Sequence, residues 1–318
     1  MPNWTTVTEF LLLDFSDTRE LQILHFVIFL TAYLAALVGN LLVITVVTTD
    51  HHLHTPMYYF LVNLSILDLG SISVIGPKSM ANSLLNTRTI SYAGCVSQVF
   101  LLFLFCSADL AILTIMAYDR YVAICKPLHY EIIMNRRACV WMAACAWVAG
   151  GIYSVLHTGN TFSLPFCHRN IINQFFCEIP QLLKLSCSDT YHRELAALAL
   201  SVFLALGCFV FIIVSYVQIF TAVWRIPSEQ GQQKAFSTCI PHLIVVSLFL
   251  STSSIAYMKP ISEFPSPLDL LAAVLYSVVP PLMNPVIYSM RNKEIQAALK
   301  QLLHWLILSK TNTPIFVS

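Results

Sequence analysis

The stretch MAYDRYVAIC (Met116–Cys125) places Asp119 directly before Arg120 at the end of a long apolar run. A charged side chain at membrane depth costs about 3 kcal/mol on insertion scales, so charges that persist there usually have a function. The surrounding chain of 318 residues is strongly apolar, with 57% hydrophobic and 10% charged residues. This composition excludes an ordinary soluble domain and predicts a membrane protein.

Seven apolar runs follow one another along the chain. A membrane-spanning helix needs about 20 predominantly apolar residues, and only the second and third runs contain an acid, Asp68 and Asp109. The alternating pattern of a transmembrane barrel is absent from the sequence. We therefore predict an all-α membrane protein, a bundle of seven transmembrane helices over 21–49, 55–77, 89–118, 138–167, 195–224, 235–258 and 270–290.

The distribution of Lys and Arg indicates the orientation. With the N-terminus outside the cell, ten of the 17 Lys and Arg residues fall on the cytoplasmic side, which membrane proteins enrich in positive charge. The sequon Asn3-Trp4-Thr5 predicts glycosylation of Asn3 and agrees with this orientation. The first apolar run lacks a basic leader and is expected to be an uncleaved anchor. We expect a multi-pass plasma-membrane protein with a cytoplasmic C-terminus.

The chain divides into four expected segments. Residues 1–22 form the outer, glycosylated segment, and residues 23–290 form the seven-helix domain. Residues 291–307 are expected to form an amphipathic helix on the inner leaflet, followed by a short cytoplasmic tail over 308–318. The helix has one apolar stripe, formed by Ile295, Leu299, Leu302, Leu303 and Leu306. The lipid bilayer is an expected partner and nucleic acid is not.

Four of the ten cysteines, Cys95, Cys167, Cys177 and Cys187, fall on the outer side, where oxidation is permitted. Four cysteines allow three pairings, and the sequence itself does not select one. Metal binding by Cys167 and His168 with Cys177 is an alternative, although the spacing matches no closed zinc site. The remaining six cysteines are expected to pack as small apolar residues.

Polar side chains recur in the middle of the apolar runs. Asp68 and Asp109 each need a partner or an ion when ionised; two facing acids can share a cation, share a proton or carry out acid–base chemistry. One protonated aspartate bonded within the bundle is the simpler alternative. Asn40 and Asn284 add polar groups to the same layer, and Pro285 leaves backbone carbonyls for side chains or waters to satisfy. This layer predicts a hinge or an ion site.

Asp119 and Arg120 have a different predicted role at the cytoplasmic end of the third helix. Asp119 can neutralise Arg120 while the bundle is closed, and Arg120 can reach a partner when the helices part. A buried pair that breaks on activation is a two-state element, which signal transfer requires. The alternative is an arginine that extends from a helix end to the membrane surface.

Four motifs together resemble the odorant (olfactory) receptor family of rhodopsin-like (class A) G-protein-coupled receptors, most closely its tetrapod-type (class II) members. They are LHTPMYYFLVNLSILDL (53–69), MAYDRYVAICKPLHY (116–130), KAFSTCIPHL (234–243) and NPVIYSMRN (284–292). The resemblance covers about residues 10–303. It implies a receptor rather than an enzyme, which binds a small odorant and activates a stimulatory-type heterotrimeric G protein to raise cyclic AMP. The only cofactor it implies is a sodium ion at Asp68 and Asp109.

The same resemblance implies roles for individual residues. It selects the disulfides Cys95–Cys177 and Cys167–Cys187 from the three open pairings, and it makes Arg120 the residue that engages the G protein. The tyrosines implied to rearrange around Arg120 are Tyr216 and Tyr288, with His242 as a switch partner. The full implied coupling and switch set is Asp119, Arg120, Tyr121, Tyr216, His242, Asn284, Pro285 and Tyr288.

The implied ligand site lies between helices three, five, six and seven, under the loop after helix four. Its lining is apolar with hydroxyls and no charge, which suits a small, neutral, lipophilic molecule with one hydrogen-bonding group. Amines and carboxylates would need a buried counter-charge. For each of these residues ordinary helix packing is the alternative. The residues implied are Leu102, Phe103, Cys106, Ser107, Ser201, Leu204, Ser253, Ser254, Tyr257, Val274 and Ser277.

Three positions depart from the family pattern. Asp109 stands where most members carry glutamate, and the run FLS (249–251) stands where Phe-Tyr-Gly is frequent. Asn173 replaces a histidine found in many members, which weakens any metal site beside that loop.

Three other functions compete with the odorant receptor. An intramembrane aspartyl protease needs a GxGD motif, which precedes neither Asp68 nor Asp109. An ion-coupled transporter should show an internal repeat or paired broken helices, and the sequence shows neither. A receptor of the same fold with a non-odorant small ligand is the main alternative, because the motifs identify the family and not the ligand.

Overall fold

The computed structural model of this protein is a bundle of long helices, with a small sheet at one end and a further helix at the other. It describes residues 7–13, 18–85, 87–166, 170–186, 192–257 and 267–311. Seven of the helices in these residues are long and apolar enough to cross a membrane, which confirms the predicted fold class. The helices are α1 Arg19–Thr49, α2 Pro56–Leu85, α3 Tyr92–Cys125, α4 Arg136–Phe162, α5 His192–Trp224, α6 Glu229–Tyr257, α7 Pro267–Arg291 and α8 Lys293–Thr311.

Large apolar side chains cover the outside of the bundle. Phe203 on α5 is 73% exposed, Ile152 on α4 is 67% exposed and Trp141 on α4 is 66% exposed. Such a surface would be unfavourable in water, whereas lipid tails match it. The exposed apolar faces therefore agree with helices that span a membrane.

Side-chain caps fix the first turns of α3 and α4. Ser91 Oγ accepts the backbone N–H of Gly94 at 3.1 Å, and Asn135 Oδ1 accepts the backbone N–H of Ala138 at 2.9 Å. Both bonds satisfy amides that have no partner within the helix. The predicted third span began at residue 89, but the helix starts at Tyr92 because residues 89–91 form a strand.

This strand belongs to a three-stranded sheet that the sequence did not predict. Its strands are β1 Glu9–Leu12, β2 Thr89–Ser91 and β3 Ile171–Ile172, in the spatial order β2-β1-β3. β1 runs antiparallel to β2 and parallel to β3. Phe10 of β1 is fully buried, and its ring stacks on that of Tyr92, with 6.1 Å between the ring centroids. We call this the sheet end of the bundle and the opposite end the α8 end.

The loop between α4 and α5 is fixed to the sheet end. A disulfide joins Cys177 of this loop to Cys95 of α3, as the resemblance implies. Beside it, Gln98 Oε1 accepts the backbone N–H of Cys177 at 2.8 Å, and Gln98 Nε2 donates to the carbonyl of Val74 on α2 at 3.1 Å. Gln98 therefore connects the loop with both α2 and α3. A short helix, Ile179–Leu185, completes the loop.

Two predictions for the sheet end lie outside the described residues. They are the disulfide between Cys167 and Cys187 and the glycosylation of Asn3. The described neighbours Phe166 and Ser186 form an isolated antiparallel bridge.

α8 docks on the bundle through both polar and apolar contacts. Asn292 Oδ1 accepts the backbone N–H groups of Glu294 at 2.9 Å and Ile295 at 3.2 Å, which caps the first turn. Tyr58 of α2 donates to Glu294 Oε2 at 2.6 Å. Ile295 and Ala298 are buried, so the apolar stripe of α8 partly faces the bundle.

Candidate functional site

An aromatic cluster links α3, α4 and α5 below the sheet end. The ring of Phe103 stacks on the imidazole of His157, with 5.1 Å between the ring centroids. His157 Nε2 lies 2.8 Å from Ser201 Oγ, and Ser201 itself donates to the carbonyl of Ala197 at 2.7 Å. A hydroxyl has one proton to donate, so Ser201 accepts and His157 Nε2 donates. Two predicted ligand residues, Phe103 and Ser201, are thus joined by a histidine.

A second group of predicted ligand residues lies between α3 and α7. Leu102 and Val274 pack against one buried cluster, which includes Phe176 from the loop and Ala273 from α7. The ring of Phe176 also contacts Tyr276, with 6.0 Å between centroids. The loop therefore lies over this part of the bundle.

The serines nominated on α3 and α7 donate to their own helices. Ser107 Oγ donates to the carbonyl of Phe103 at 2.5 Å, and Ser277 Oγ donates to the carbonyl of Ala273 at 2.6 Å. Each oxygen keeps lone pairs for a further bond. Together with Ser201, these residues keep acceptor capacity but no free proton. Ser107 Oγ lies on the α4 side, 3.1 Å from where a Cβ at Gly150 would be.

The remaining nominated positions are not brought into this arrangement by any described contact. Leu204 is 49% exposed, Ser254 and Cys106 are exposed and Ser253 is half-buried. Within the described residues, neither Ser253 nor Ser254 makes a side-chain hydrogen bond. The side chain of Tyr257 lies outside the described part of α6.

Glu178, which the sequence analysis did not single out, faces α7 directly after the disulfide. Tyr276 donates to Glu178 Oε2 at 2.8 Å, and Gln174 Nε2 lies 3.5 Å from Glu178 Oε1. Burial raises the pKa of Glu178 above its ordinary value, while the bonds from Tyr276 and Gln174 oppose the increase. Because both carboxyl oxygens already accept hydrogen bonds, Glu178 ties the loop to α7 in this arrangement.

The predicted polar layer is present in the middle of the bundle. Asn284 Nδ2 donates to both carboxyl oxygens of Asp68, at 3.2 and 3.0 Å. Asp109 is also buried and interacts electrostatically with Asp68. Among the described residues, Asp109 Oδ1 and Asn284 Oδ1 have no hydrogen-bond partner. Unpartnered buried oxygens suit a hard cation, which takes oxygen ligands.

Asn40 satisfies the carbonyl that Pro285 leaves free. Proline has no N–H, so the carbonyl four residues earlier, that of Pro281, loses its helical partner. Asn40 Nδ2 donates to this carbonyl at 2.9 Å. The neighbouring Gly39 allows the close approach, because a Cβ at Gly39 would lie 3.0 Å from Pro285 Cγ. The prediction that Pro285 leaves a carbonyl for side chains or waters to satisfy is confirmed, with Asn40 as the side chain.

Near the α8 end, His242 joins three helices. His242 Nε2 lies 2.9 Å from the carbonyl oxygen of Leu113 on α3, and Nδ1 lies 2.8 Å from the hydroxyl of Tyr216 on α5. A carbonyl only accepts, so Nε2 carries the proton and Nδ1 accepts from Tyr216. His242 is fully buried. This pair of bonds holds α6 against α3 and α5.

Asp119 and Arg120 interact electrostatically, but no direct ion pair joins them among the described residues. Both side chains are buried, but Asp119 Oδ1 accepts the hydroxyl of Tyr130 at 2.8 Å. Arg120 Nε has no hydrogen-bond partner among the described residues. Tyr130 begins a short helix, Tyr130–Ile133, between α3 and α4. It therefore bonds the carboxylate from a position that the spacing within α3 does not reveal. Near the same helix end, Lys126 Nζ lies 5.6 Å from the ring centroid of Tyr121.

Tyr288 is the last predicted switch residue on α7. It is buried, and its hydroxyl has no partner within the described residues. It interacts electrostatically with Arg120 on α3. The structure thus places a tyrosine and an arginine near each other without a direct bond.

Comparison with known proteins identifies the family. The family described as "Olfactory receptor" matches this chain over residues 29–305. The chain belongs to the olfactory receptor family. This family of G-protein-coupled receptors is not enzymatic, so the protease alternative is excluded. Membership also confirms the resemblance drawn from the four motifs.

Human relatives extend over nearly the whole chain. Olfactory receptor 14A16 of Homo sapiens is 55% identical over 95% of this chain and 98% of its own length. Olfactory receptor 14C36 of Homo sapiens is 52% identical over 98% of this chain and 99% of its own length. The match therefore includes all the helices that carry the candidate site.

Among solved structures, squid rhodopsin has the same fold. The TM-score is 0.72 at 18% sequence identity, with 92% of this chain and 83% of the rhodopsin chain covered. At this identity the likeness concerns the fold alone. It supports the seven-helix arrangement of this olfactory receptor independently of its sequence motifs.

The residues that sequence reasoning missed are His157, Glu178, Tyr276 and Tyr130. The sequence does mark His157, because it is a histidine within the apolar run that forms α4. It also marks Glu178, which directly follows the disulfide cysteine Cys177. The contacts of Tyr276 and Tyr130 depend on how distant segments meet, which no local pattern shows.

Proposed function

We propose that this olfactory receptor binds a small, neutral, lipophilic odorant between α3, α5, α6 and α7 and activates a stimulatory-type heterotrimeric G protein, which raises cyclic AMP. The proposed orientation places the sheet end outside the cell and α8 in the cytoplasm, at the plasma membrane. Family membership supports a small-molecule ligand and G-protein coupling in general. The apolar, hydroxyl-bearing surroundings of Phe103, Ser107 and Ser277 support the ligand class.

The lining supports a neutral ligand over a charged one. Glu178 is a carboxyl group of the loop that forms the roof of the site, and its oxygens are engaged by Tyr276 and Gln174. An amine would have to displace these bonds, which costs more than placing a neutral molecule against Leu102 and Val274.

The hydroxyl geometry supports a ligand that donates a hydrogen bond. Ser107, Ser201 and Ser277 all use their protons on backbone carbonyls. Their free lone pairs can accept from an alcohol or phenol without breaking a helix bond. A ketone or ester would first require a serine to rotate away from its carbonyl. We therefore propose a hydroxylated odorant class.

The proposed activation step opens the α8 end. In the closed arrangement His242 bonds Leu113 and Tyr216, which keeps α6 close to α3 and α5. An odorant that favours the open arrangement shifts the equilibrium, and the shift is limited by its difference in affinity for the two states. Opening exposes Arg120 to the G protein, with Tyr216 and Tyr288 rearranging around it.

A sodium ion in the closed state is a part of this proposal. Asp68 and Asp109 would hold it, with the free Oδ1 atoms of Asp109 and Asn284 as oxygen ligands. The bound ion would supply positive charge that compensates the two carboxylates. A change in the bonds of Asn284 would alter α7 at Pro285, where the backbone ladder of that helix is interrupted.

The central experiment measures cyclic AMP in cells expressing the receptor, against a panel of small volatile molecules. We expect a response to at least one neutral molecule, and we expect Arg120→Ala to abolish it at unchanged surface level. Arg88→Ala, an exposed arginine at the sheet end, is the matched control and should keep the response. A response that persists in Arg120→Ala would contradict the coupling role.

A non-odorant ligand is the second candidate and is tested in the same assay. If the panel produces no response, non-volatile neutral molecules such as steroids and fatty alcohols are applied to the same cells. Activation by these alone would assign the receptor to a different ligand, with the coupling mechanism unchanged.

A further inference from the structure

A groove between α2 and α3 at the sheet end opens toward the membrane rather than toward the odorant site. Its volume is about 610 Å³, within the range of cavities that bind one small molecule. Ser73 of α2 and Ser97 of α3, which line it, are exposed on the outside of the bundle. By helix periodicity, the α2 residues that line the groove face away from Asp68 and the interior. The proposed odorant mechanism uses none of these residues.

The groove changes from polar to apolar along its length. α2 and α3 run in opposite directions, so Lys78 and Ser91 meet at the sheet end, and Gly70 and Phe105 meet deeper in the membrane. At 1.5 Å per residue, Gly70 and Lys78 are roughly 12 Å apart along α2. The polar part near Lys78 also contains Ser91 and Ser97, and the apolar part contains Val74, Leu101 and Phe105.

The length of α2 is consistent with Lys78 at the depth of the lipid headgroups, if the first residue of α2 lies at the opposite surface. Lys78 is roughly 33 Å along α2 from the first residue of that helix, and the hydrocarbon core of a bilayer is about 30 Å thick. Lys78 is half-buried, and within the described residues it makes no hydrogen bond or ion pair. A lysine at this depth can extend its ammonium among the headgroups, where a lipid phosphate is the available counter-charge.

Gly70 keeps the deep end of the groove narrow and apolar. A Cβ at Gly70 would lie 2.5 Å from Cζ of Phe105, so the ring packs directly on the backbone of α2. The same ring contacts Trp147 of α4 edge to face, with 6.3 Å between centroids. Phe105 thus closes the groove with an aromatic surface suited to a hydrocarbon chain.

We propose that this groove binds one phospholipid from the leaflet at the sheet end. The phosphate lies on the ammonium of Lys78 and the hydroxyl of Ser91. One acyl chain lies along Val74 and Leu101 and passes Ser97, whose hydroxyl already donates to the carbonyl of Ala93. Charge complementarity selects a phosphate-bearing lipid, because a sterol offers no negative charge to Lys78. The gradient from charged to apolar selects an amphiphile over a free anion.

Occupancy of the groove adds contacts where the roof of the receptor is attached. Gln98 forms part of the wall, and it bonds both Val74 of α2 and the amide of Cys177. A lipid against this wall stabilises the α2–α3 pair and, through Gln98, the loop that carries the disulfide. Binding to the folded state alone raises the unfolding temperature by mass action.

The test is native mass spectrometry of the full chain in neutral detergent, titrated with phosphatidylglycerol. We expect one lipid per chain, and Lys78→Ala should weaken this binding about tenfold, as expected for loss of a charge-assisted hydrogen bond. Lys78→Arg should restore binding. Lys184→Ala, an exposed lysine of the loop at the same end, is the control and should bind as the wild type does.

Ser97→Phe tests the location independently of charge. It fills the groove while Lys78 stays in place, so binding should be lost even if Lys78→Ala does not fold. The lipid should raise the unfolding temperature of the wild type and not that of Ser97→Phe. Equal lipid binding by Lys78→Ala and the wild type overturns the proposal, as does unchanged binding by Ser97→Phe.

Cholesterol and inorganic phosphate distinguish the other occupants. Displacement of phosphatidylglycerol by cholesterol at equal concentration would assign the groove to a sterol. Displacement by millimolar inorganic phosphate would show an anion site without lipid specificity. Either result overturns the proposal, and retention of phosphatidylglycerol in both experiments supports it.

Discussion

The side-chain amide of Asn40 on α1 donates to the carbonyl oxygen of Pro281 on α7, with 2.9 Å between the two atoms. This carbonyl is the one that Pro285 cannot bond within its own helix. A side chain of the first helix therefore supplies the hydrogen bond that the backbone of the last membrane-spanning helix lacks. The bond also brings α1 beside the polar layer that contains Asp68 and Asn284.

We predict that Asn40→Ala destabilises the receptor by about 1 kcal/mol, a typical magnitude for a hydrogen bond between membrane helices. The variant leaves the Pro281 carbonyl without its donor in an apolar environment. Thermal unfolding in detergent measures the effect. Thr45→Val, an exposed residue of α1 that bonds only its own helix, should change the unfolding temperature much less; equal shifts would refute the role of Asn40.

We predict that His242→Phe raises basal cyclic AMP about fivefold per surface receptor. The change removes the bonds to Leu113 and Tyr216, and losing about 1 kcal/mol of closed-state stabilisation multiplies the open population by this factor. Phenylalanine keeps the ring volume. Basal cyclic AMP is measured without ligand and divided by surface expression.

Ser237→Ala provides the control for this experiment. Ser237 lies on α6 near the same end, is exposed and bonds only the carbonyl of Lys234. Its basal signal should match the wild type. If the basal cyclic AMP of His242→Phe equals that of Ser237→Ala, the bonds of His242 do not hold the closed state.

We predict that hydroxylated odorants activate the receptor at about tenfold lower concentration than matched ketones, a factor that corresponds to one retained hydrogen bond. The comparison uses pairs with the same carbon skeleton. Ser107→Ala and Ser277→Ala should each reduce the preference if the ligand bonds that oxygen. Ser163→Ala, exposed at the end of α4, should leave it unchanged. Equal potency of alcohols and ketones would contradict the acceptor role of these serines.

We predict that Glu178 makes stability depend on pH. Burial raises its pKa above 4.5 in the folded protein, so the folded state binds more protons than the unfolded state between these two pKa values. Stability from this group is therefore greatest below the unfolded pKa and is lost as pH rises through the raised value. Thermal unfolding across this acidic window should show a decrease with increasing pH.

Glu178→Gln isolates this contribution. The amide keeps a similar shape and stays neutral, so the decrease with pH should become smaller. Tyr276→Phe should have the opposite effect, because it removes the hydrogen bond that opposes the pKa increase. If the three proteins unfold with the same pH dependence, Glu178 is not the responsible group.

Much of the fold followed from the sequence because membrane spans need long apolar runs. The seven helices, the amphipathic α8 and the need of Pro285 for a partner all depend on local composition or on one residue type. The pairing of Cys95 with Cys177 came instead from the resemblance, since the sequence itself left three arrangements open. The roles of Asp68, Asp109 and Arg120 remain predictions that the experiments above address.

Other features depend on segments that are distant in the chain. The strand Thr89–Ser91 was counted within a helix because its residues are apolar or neutral, and only its pairing with Glu9–Leu12 makes it a strand. Asp119 bonds Tyr130 although its sequence neighbour is Arg120. His157 sits in an apolar run, and its role becomes visible only where Phe103 and Ser201 meet it.

The order of the strands has a consequence for biosynthesis. The middle strand, Glu9–Leu12, leaves the ribosome before either neighbour, and its parallel partner Ile171–Ile172 is made only after α4 is complete. The strand Glu9–Leu12 therefore stays without its partner Ile171–Ile172 until four membrane helices have been synthesised. A bulky fusion placed directly before Glu9 would interfere with closure of the sheet, and so with maturation, even though it touches no part of the odorant site.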